Sequence, residues 1–128
     1  MTKKAHSPND SPHGWWIASY IERYVPDGVK LTDDDRCLAW ENTILLRAPD
    51  RESAYLKALE NGKGGEDKVS GRKGPGLWKF EGLTSLLPIY DEIEDGAELM
   101  WTEHRNKKVK SITARVKKKH ELECFQDD

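Results

Sequence analysis

Apolar and polar side chains alternate along three stretches of the chain, and each stretch is predicted to form a β-strand. The stretches cover residues 15–25, 36–48 and 77–87. A period of two residues is typical of a strand with one buried face. Pro88 has no N–H group to donate to a neighbouring strand, so regular pairing of the third strand is expected to end there.

The third strand has the strongest strand pattern and is expected to organise the sheet. Its alternation predicts one face formed by Trp78, Phe80, Thr84 and Leu86, because successive side chains of a strand point to opposite faces. Gly82 interrupts this face and predicts a bulge or a close backbone approach.

The first two strands are predicted to form an antiparallel hairpin, because Pro26-Asp27-Gly28 is a strong turn signal. A helix is expected to follow the hairpin. Asp50 can cap its first turn, and Asn61-Gly62 is typical of a helix end. The predicted apolar stripe of this helix consists of Ala54, Tyr55, Ala58 and Leu59.

Two later segments complete the predicted fold. Residues 98–104 alternate as a fourth strand, and residues 106–119 fit a helix slightly better than a strand. The fold class is therefore α+β in the order β-β-α-β-β-α, a four-stranded, mostly antiparallel sheet with two helices packed on one face. Residues 1–13 are polar and predicted to be a disordered tail, which leaves residues 14–128 as a single domain.

The first strand carries an apolar row on each face, and two interpretations remain open. It is either a central strand covered on both sides, or a strand whose aromatic row is left for a partner, since Tyr and Trp are favoured at interfaces. The aromatic row is expected on the sheet face that the helices leave uncovered. The first row is Trp15, Ile17 and Ile21, and the aromatic row is Trp16, Tyr20 and Tyr24.

Charge is distributed unevenly, although the net charge is only −2. Residues 1–104 carry 13 Lys or Arg against 19 Asp or Glu, whereas residues 105–128 carry 8 against 4. The basic segment 105–119 predicts either the solvated face of an amphipathic helix or a contact with nucleic acid, an anionic membrane or an acidic partner. It contains no recognised nucleic-acid-binding motif.

No constellation of residues predicts catalysis, a metal site or a cofactor. Cys37 and Cys124 are expected to be reduced thiols of a cytoplasmic protein, and no apolar run approaches the ~18 residues of a membrane span. The glycine-rich segment 61–76 matches no phosphate-binding pattern and is expected to be a flexible loop. Four basic residues leave room for an anion-binding role there: Lys63, Lys68, Arg72 and Lys73.

Two acidic segments are the stronger candidates for a binding surface. Residues 33–35 are three consecutive aspartates, but they lack the spacing of a calcium-binding EF-hand loop. Residues 91–95 carry four acids and end in the predicted turn Asp95-Gly96.

Short motifs follow one another along residues 15–104: Trp15-Trp16, Trp40-Glu41 before Ile44-Leu45-Leu46, a helix with Ala54 and Ala58, Trp78-Lys79-Phe80-x-Gly82, and Tyr90-Asp91-Glu92-Ile93-Glu94-Asp95-Gly96. In this order they resemble the small bacterial family DUF4288, a domain of unknown function. The resemblance implies no catalytic residues.

Small α+β proteins of this kind also resemble immunity proteins, which bind a cognate toxin and block its active site. That resemblance implies a non-enzymatic, protein-binding protein without a cofactor. The alternatives are a nucleic-acid-associated accessory protein that uses the basic segment, or a housekeeping domain. The residues expected to contact a protein partner are Asp33, Asp34, Asp35, Asp91, Glu92, Glu94, Asp95, Trp16, Tyr20 and Tyr24.

Overall fold

The structure is a computed structural model that describes residues 9–64, 68–71 and 74–126, with the backbone alone described at residues 68–71 and 74. Two single-turn 3₁₀ helices, Lys119–Glu121 and Glu123–Phe125, follow the regular elements. In chain order those elements are β1 (Trp15–Pro26), β2 (Ala39–Arg47), α1 (Arg51–Gly64), β3 (Lys68–Gly71), β4 (Gly74–Pro88) and α2 (Val109–Thr113).

The strands form one antiparallel sheet in the order β2-β1-β4-β3. Three long strands, β2, β1 and β4, make up most of it, and the short β3 pairs with the start of β4. The predicted α+β class and the antiparallel sheet are confirmed, and β1 is the central strand of the three.

The predicted hairpin of β1 and β2 is formed. The two strands pair in one unbroken register that places Ile17 opposite Leu45. The predicted turn is also present: the N–H of Val29 donates to the carbonyl of Pro26 at 3.2 Å, and Gly28 supplies the positive φ of 76°.

Two bulges interrupt β4, and they correct the predicted alternation. The register between β1 and β4 shifts twice, so that Glu81 and Thr84 have no partner opposite them in β1. Gly82, with φ of 149°, lies beside one of these shifts, as its position in the strand predicted. The prediction for Thr84 was wrong because its bulge turns it to the opposite face, and Leu83 packs against the core instead.

Helix α1 begins as its cap predicts. The Asp50 carboxylate accepts the N–H of Ser53 at 2.7 Å, and Ala54 and Ala58 are fully buried. The predicted end at Asn61-Gly62 was wrong, because the helix continues to Gly64. The glycine at position 62 is needed for close contact with the sheet, so here it does not mark the helix end.

The core lies between α1 and the face of the sheet that carries Trp16. It is formed by small helix residues against large strand residues: Trp16, Ala18, Leu46, Ala48, Ala54 and Ala58. The indole Nε1–H of Trp16 donates to the carbonyl of Ala48 at 3.0 Å, so the largest buried side chain also satisfies its one polar group.

The predicted strand at residues 98–104 is not formed, and the predicted flexible loop at 61–76 is replaced in part by regular structure. Residues 61–64 belong to α1, while β3 and the start of β4 form a hairpin. Residues 98–104 alternate in sequence but pair with no strand of the described sheet; β3 occupies the edge of β4, and the edge strand β2 has only β1 as its neighbour. Arg72 and Lys73 lie outside the described residues, as does the side chain of Lys68. Of the four residues in the anion-binding prediction, only Lys63 is described, and it is exposed near the end of α1.

The basic C-terminal segment does not pack on the sheet as a second helix. Only Val109–Thr113 is α-helical, and neither it nor the 3₁₀ turns contact the sheet or α1. The helix prediction for this segment rests on an apolar stripe of Val109, Ile112 and Val116, and these side chains are 79%, 38% and 79% exposed. Neighbouring like charges repel along a helix, and without an apolar surface to cover, nothing offsets that repulsion.

The N-terminal segment is attached from at least Ser11 onward. Its hydroxyl donates to the carbonyl of Ile89 at 2.6 Å and accepts the N–H of Trp15 at 2.9 Å. The ordered part of the domain therefore starts before residue 14, while residues 1–8 of the predicted tail lie outside the described residues.

Candidate protein-binding surface

The aromatic row of β1 is not the exposed surface that was predicted. Trp16, Tyr20 and Tyr24 are only 2%, 8% and 5% exposed. Tyr20 packs on the Phe80 ring at 5.7 Å between ring centroids, and Tyr24 packs on Trp78 at 5.4 Å. These three residues belong to the face that α1 covers at one end, so they cannot contact a partner while the domain is folded.

The opposite face of the sheet is the one that no helix of the described chain covers, and we call it the open face. Its side chains alternate with those of the core along each long strand. The open face includes Trp15, Ile17, Ser19, Ile21 and Arg23 from β1, Ala39, Glu41, Thr43, Leu45 and Arg47 from β2, and Lys79, Glu81, Thr84, Ser85 and Leu87 from β4.

The floor of the open face is apolar at one end and hydroxyl-lined in the middle. Leu45 is 47% exposed and Leu87 is 38% exposed. Between β1 and β2, the hydroxyls of Ser19 and Thr43 are hydrogen-bonded at 2.8 Å. An apolar floor with satisfied polar groups around it is the usual composition of a protein interface.

The acidic segment 91–95 borders the first end of the open face. A groove of about 440 Å³ lies between the floor residues Ile17 and Leu45 and the segment that carries Glu94 and Asp95. The predicted turn at Asp95-Gly96 is formed, with the N–H of Ala97 donating to the Glu94 carbonyl at 3.0 Å and Gly96 at φ 86°.

The acidic segment 33–35 borders the other end of the same face. Asp33 and Asp35 line a concavity of about 190 Å³ together with Arg23 and Glu81. Ile17 and Arg23 mark the two ends along β1, and at the rise of a strand they are about 20 Å apart. The structure thus brings both predicted acidic segments to the rim of one surface.

Two of the predicted acids stabilise their own loops. Asp35 accepts both the N–H and the hydroxyl of Thr32, at 2.8 and 3.0 Å, and these bonds lower the pKa of its carboxyl group, the bond from the N–H most. Asp91 accepts the N–H of Glu98 at 2.9 Å and so closes the second acidic segment. The carboxylates of Asp35 and Asp91 therefore already accept hydrogen bonds within the chain.

The remaining predicted acids are exposed. Asp33 and Asp34 lie at the tip of the first loop, and Glu94 and Asp95 lie beside the groove. Glu92 is exposed as well, and its carboxylate lies 3.7 Å from Nδ1 of His13. Asp33, Asp34, Glu94 and Asp95 are therefore the acids most accessible to a partner.

The open face also carries residues that were not predicted to contact a partner, among them Glu41, Glu81 and Leu45. Glu41 accepts the Thr84 hydroxyl at 2.5 Å, and the Glu81 carboxylate lies 3.5 Å from Nε of Arg23. The contact of Glu41 depends on the bulges in β4, which turn Thr84 onto this face, whereas Glu81 reaches it by alternation with Phe80. The signal that could have found Leu45 is its alternation with the buried Leu46.

Tyr90 and Trp101 are in ring contact beside the end of β4. Their rings are 5.4 Å apart between centroids, and they border a small concavity of about 120 Å³ with Leu87 and Met100. Within the described residues, no cluster of His, Cys, Asp and Glu is arranged to hold a metal ion. In the same part of the chain, no helix has the length and apolarity to cross a membrane.

Comparison with known proteins gives one match. No curated protein and no solved structure matches the chain. A family model does match, over residues 15–101, and this range ends at the tryptophan whose ring stacks on Tyr90. It contains the three long strands, α1 and the second acidic segment. Since the match covers more than half of its length, the chain belongs to DUF4288, a domain of unknown function.

Proposed function

We propose that this chain is a non-enzymatic protein that binds another protein through its open face, and that it acts as an immunity protein. In that role it covers the active site of a cognate toxin. One observation carries the proposal: two acidic segments that are far apart in sequence border opposite ends of a single sheet face, which is apolar at one of those ends.

The chemistry of the face defines the partner. Exposed Asp and Glu side chains at both ends favour a partner with Lys and Arg at the matching positions and apolar groups between them. Complementary charge of this kind speeds the encounter of two proteins and disfavours wrong partners. Toxins that act on nucleic acids or nucleotides often have basic clefts, and an acidic rim of this kind would complement such a cleft.

The assignment as an immunity protein rests on size and fold class as well, and this support is by analogy. The proposed location is the cytoplasm, because Cys37 and Cys124 are free and exposed, and exposed thiols persist in a reducing compartment.

Capture from a lysate of the native host tests the proposal. The immobilised full chain is compared with Glu94→Lys/Asp95→Lys, and with the control Glu52→Lys/Glu60→Lys, which places the same charge change on exposed positions of α1. The proposal predicts a basic protein that wild type and control retain and that the first variant loses. Equal retention of the basic protein by all three chains would contradict binding through the acidic rim.

A second candidate function has its own observation. The described residues of the C-terminal segment are exposed through residue 126, and the basic part, 105–119, carries no acid. We propose nucleic-acid binding by this segment as the alternative. It predicts retention of nucleic acid in a filter-binding assay that falls steeply with salt, since neutralised phosphates release counterions. Absence of salt-dependent retention would exclude it.

A further inference from the structure

The sheet has two edges, and they differ in how they are protected. β3 is an edge of only four residues, whereas the edge strand β2 has nine residues. Natural proteins shield long edges with lysines, prolines, bulges or a covering element, because an unpaired edge is a template for another strand. β2 contains no lysine or proline, and its register with β1 has no bulge.

Two hydrogen bonds show which backbone groups of β2 point outward. The N–H of Ala48 donates to Gly14, and the carbonyl of Leu38 accepts from Tyr24, so even-numbered residues of this segment point toward β1. The odd-numbered residues therefore point away from the sheet. Lys57 satisfies one of these groups, the carbonyl of Arg47, at 2.9 Å.

The outward N–H and C=O groups of Glu41, Thr43 and Leu45 have no hydrogen-bond partner among the described residues. All three residues are exposed. On the helix side of the same strand, the large side chain of Trp40 is 56% exposed. The edge thus offers both unpaired backbone groups and apolar area to an added strand.

We propose that β2 pairs antiparallel with β2 of a second copy of this chain, around a two-fold axis at Thr43. The sequence of the strand is self-complementary in that register. In that register, Glu41 of one copy lies opposite Leu45 of the second copy. Arg47 of the second copy is the diagonal neighbour of Glu41 on the same face, and its long side chain can reach the carboxylate. Because the axis is two-fold, this attraction between Glu41 and Arg47 occurs twice.

The two charged side chains are available for the new contact. Glu41 uses one carboxylate oxygen for the Thr84 hydroxyl, and a carboxylate accepts several hydrogen bonds. The guanidinium of Arg47 lies over the Trp15 ring, 5.2 Å from its centroid, which leaves its N–H donors in the guanidinium plane free to bind. A strand of an unrelated partner would not in general repeat this charge pattern, and this favours a second copy.

Light scattering after size-exclusion chromatography tests the pairing on the full chain over a concentration series. Wild type is expected to dimerise. Thr43→Pro removes an outward N–H without touching the ladder to β1, so it is expected to be monomeric. Thr43→Val loses the same contact with Ser19 but keeps the N–H, and is expected to remain a dimer. A monomeric wild type, or equal dimerisation of both variants, would overturn the proposal.

Charge exchange gives a test that does not depend on proline. Glu41→Arg and Arg47→Glu each place like charges on both diagonals, and each is expected to weaken the dimer by at least about tenfold. An equimolar mixture of the two variants, and the double variant, restore opposite charges and are expected to dimerise as wild type does. If neither restores it, the register is wrong. Both tests measure the mass of this chain without a partner protein. Failure of the dimer prediction would therefore leave the proposed partner binding untouched.

Discussion

Gly62 of α1 lies directly against the ring of Phe80 in β4, and a Cβ atom at position 62 would lie 2.6 Å from Cδ1 of that ring. The same Phe80 ring also packs on the ring of Tyr20 in β1. This close approach allows α1 to pack on the aromatic face of the sheet. The opposite face, the open face, is therefore the one that α1 leaves uncovered.

Replacing Gly62 by Ala is expected to destabilise the domain although Ala is the better helix former by about 1 kcal/mol. The added methyl group has no room, because Tyr20 restricts movement of the Phe80 ring, and overpacking of this kind costs about 1–3 kcal/mol. Urea denaturation measures the change in the free energy of unfolding.

Gly64→Ala is the matched control in the same helix. Among the described residues, no atom lies within 4 Å of a Cβ at position 64, so this variant is expected to be neutral or to gain up to about 1 kcal/mol. A Gly62→Ala protein as stable as the Gly64→Ala protein would contradict the proposed packing of helix on sheet.

Trp16→Phe is expected to lower the free energy of unfolding by about 2–3 kcal/mol. The change leaves a cavity in the core and removes the buried hydrogen bond to the Ala48 carbonyl. Trp101→Phe is the control, because Trp101 is exposed and the substitution keeps a ring beside Tyr90; its effect should stay within about 0.5 kcal/mol. Equal losses in the two variants would show that Trp16 is not the centre of the core.

The Asp50 cap makes stability depend on pH in a defined direction. Its pKa is lowered from 3.8, first by the backbone N–H of Ser53. A group with a lowered pKa in the folded state contributes stability above its unfolded pKa and loses that contribution as pH falls through the folded value. Asp50→Ala is therefore expected to melt at a lower temperature than wild type at pH 7. Below pH 3.8 the difference should shrink, and a difference independent of pH would argue against the cap.

Much of the fold could be predicted because local signals and packing agree. The alternation of β1 and β2, the turn at Gly28 and the cap at Asp50 each act over a few residues, and each is present in the structure. The fourth strand and the second helix were wrong for a physical reason. Their apolar patterns are real, but residues 98–104 pair with no strand of the described sheet, and Val109–Thr113 contacts neither the described sheet nor α1.

The candidate site could be predicted only in part. Both acidic segments are visible in the sequence, but their meeting at one sheet face depends on how the strands pair. The choice of face was wrong because aromatic residues suit a packed core as well as an interface, and the contact between Gly62 and Phe80 decides between the two. The bulges that bring Thr84 to the open face leave little local signal beyond Gly82.

The association rate between this chain and its captured partner tests the central claim most directly, measured at low and at high salt. Glu94→Lys/Asp95→Lys is expected to slow association markedly at low salt, with a smaller change in dissociation, while Glu52→Lys/Glu60→Lys leaves the rate near that of wild type. High salt should bring all three rates together because it screens exposed charges. An association rate that neither salt nor the exchange of Glu94 and Asp95 changes would contradict binding through the acidic rim of the open face.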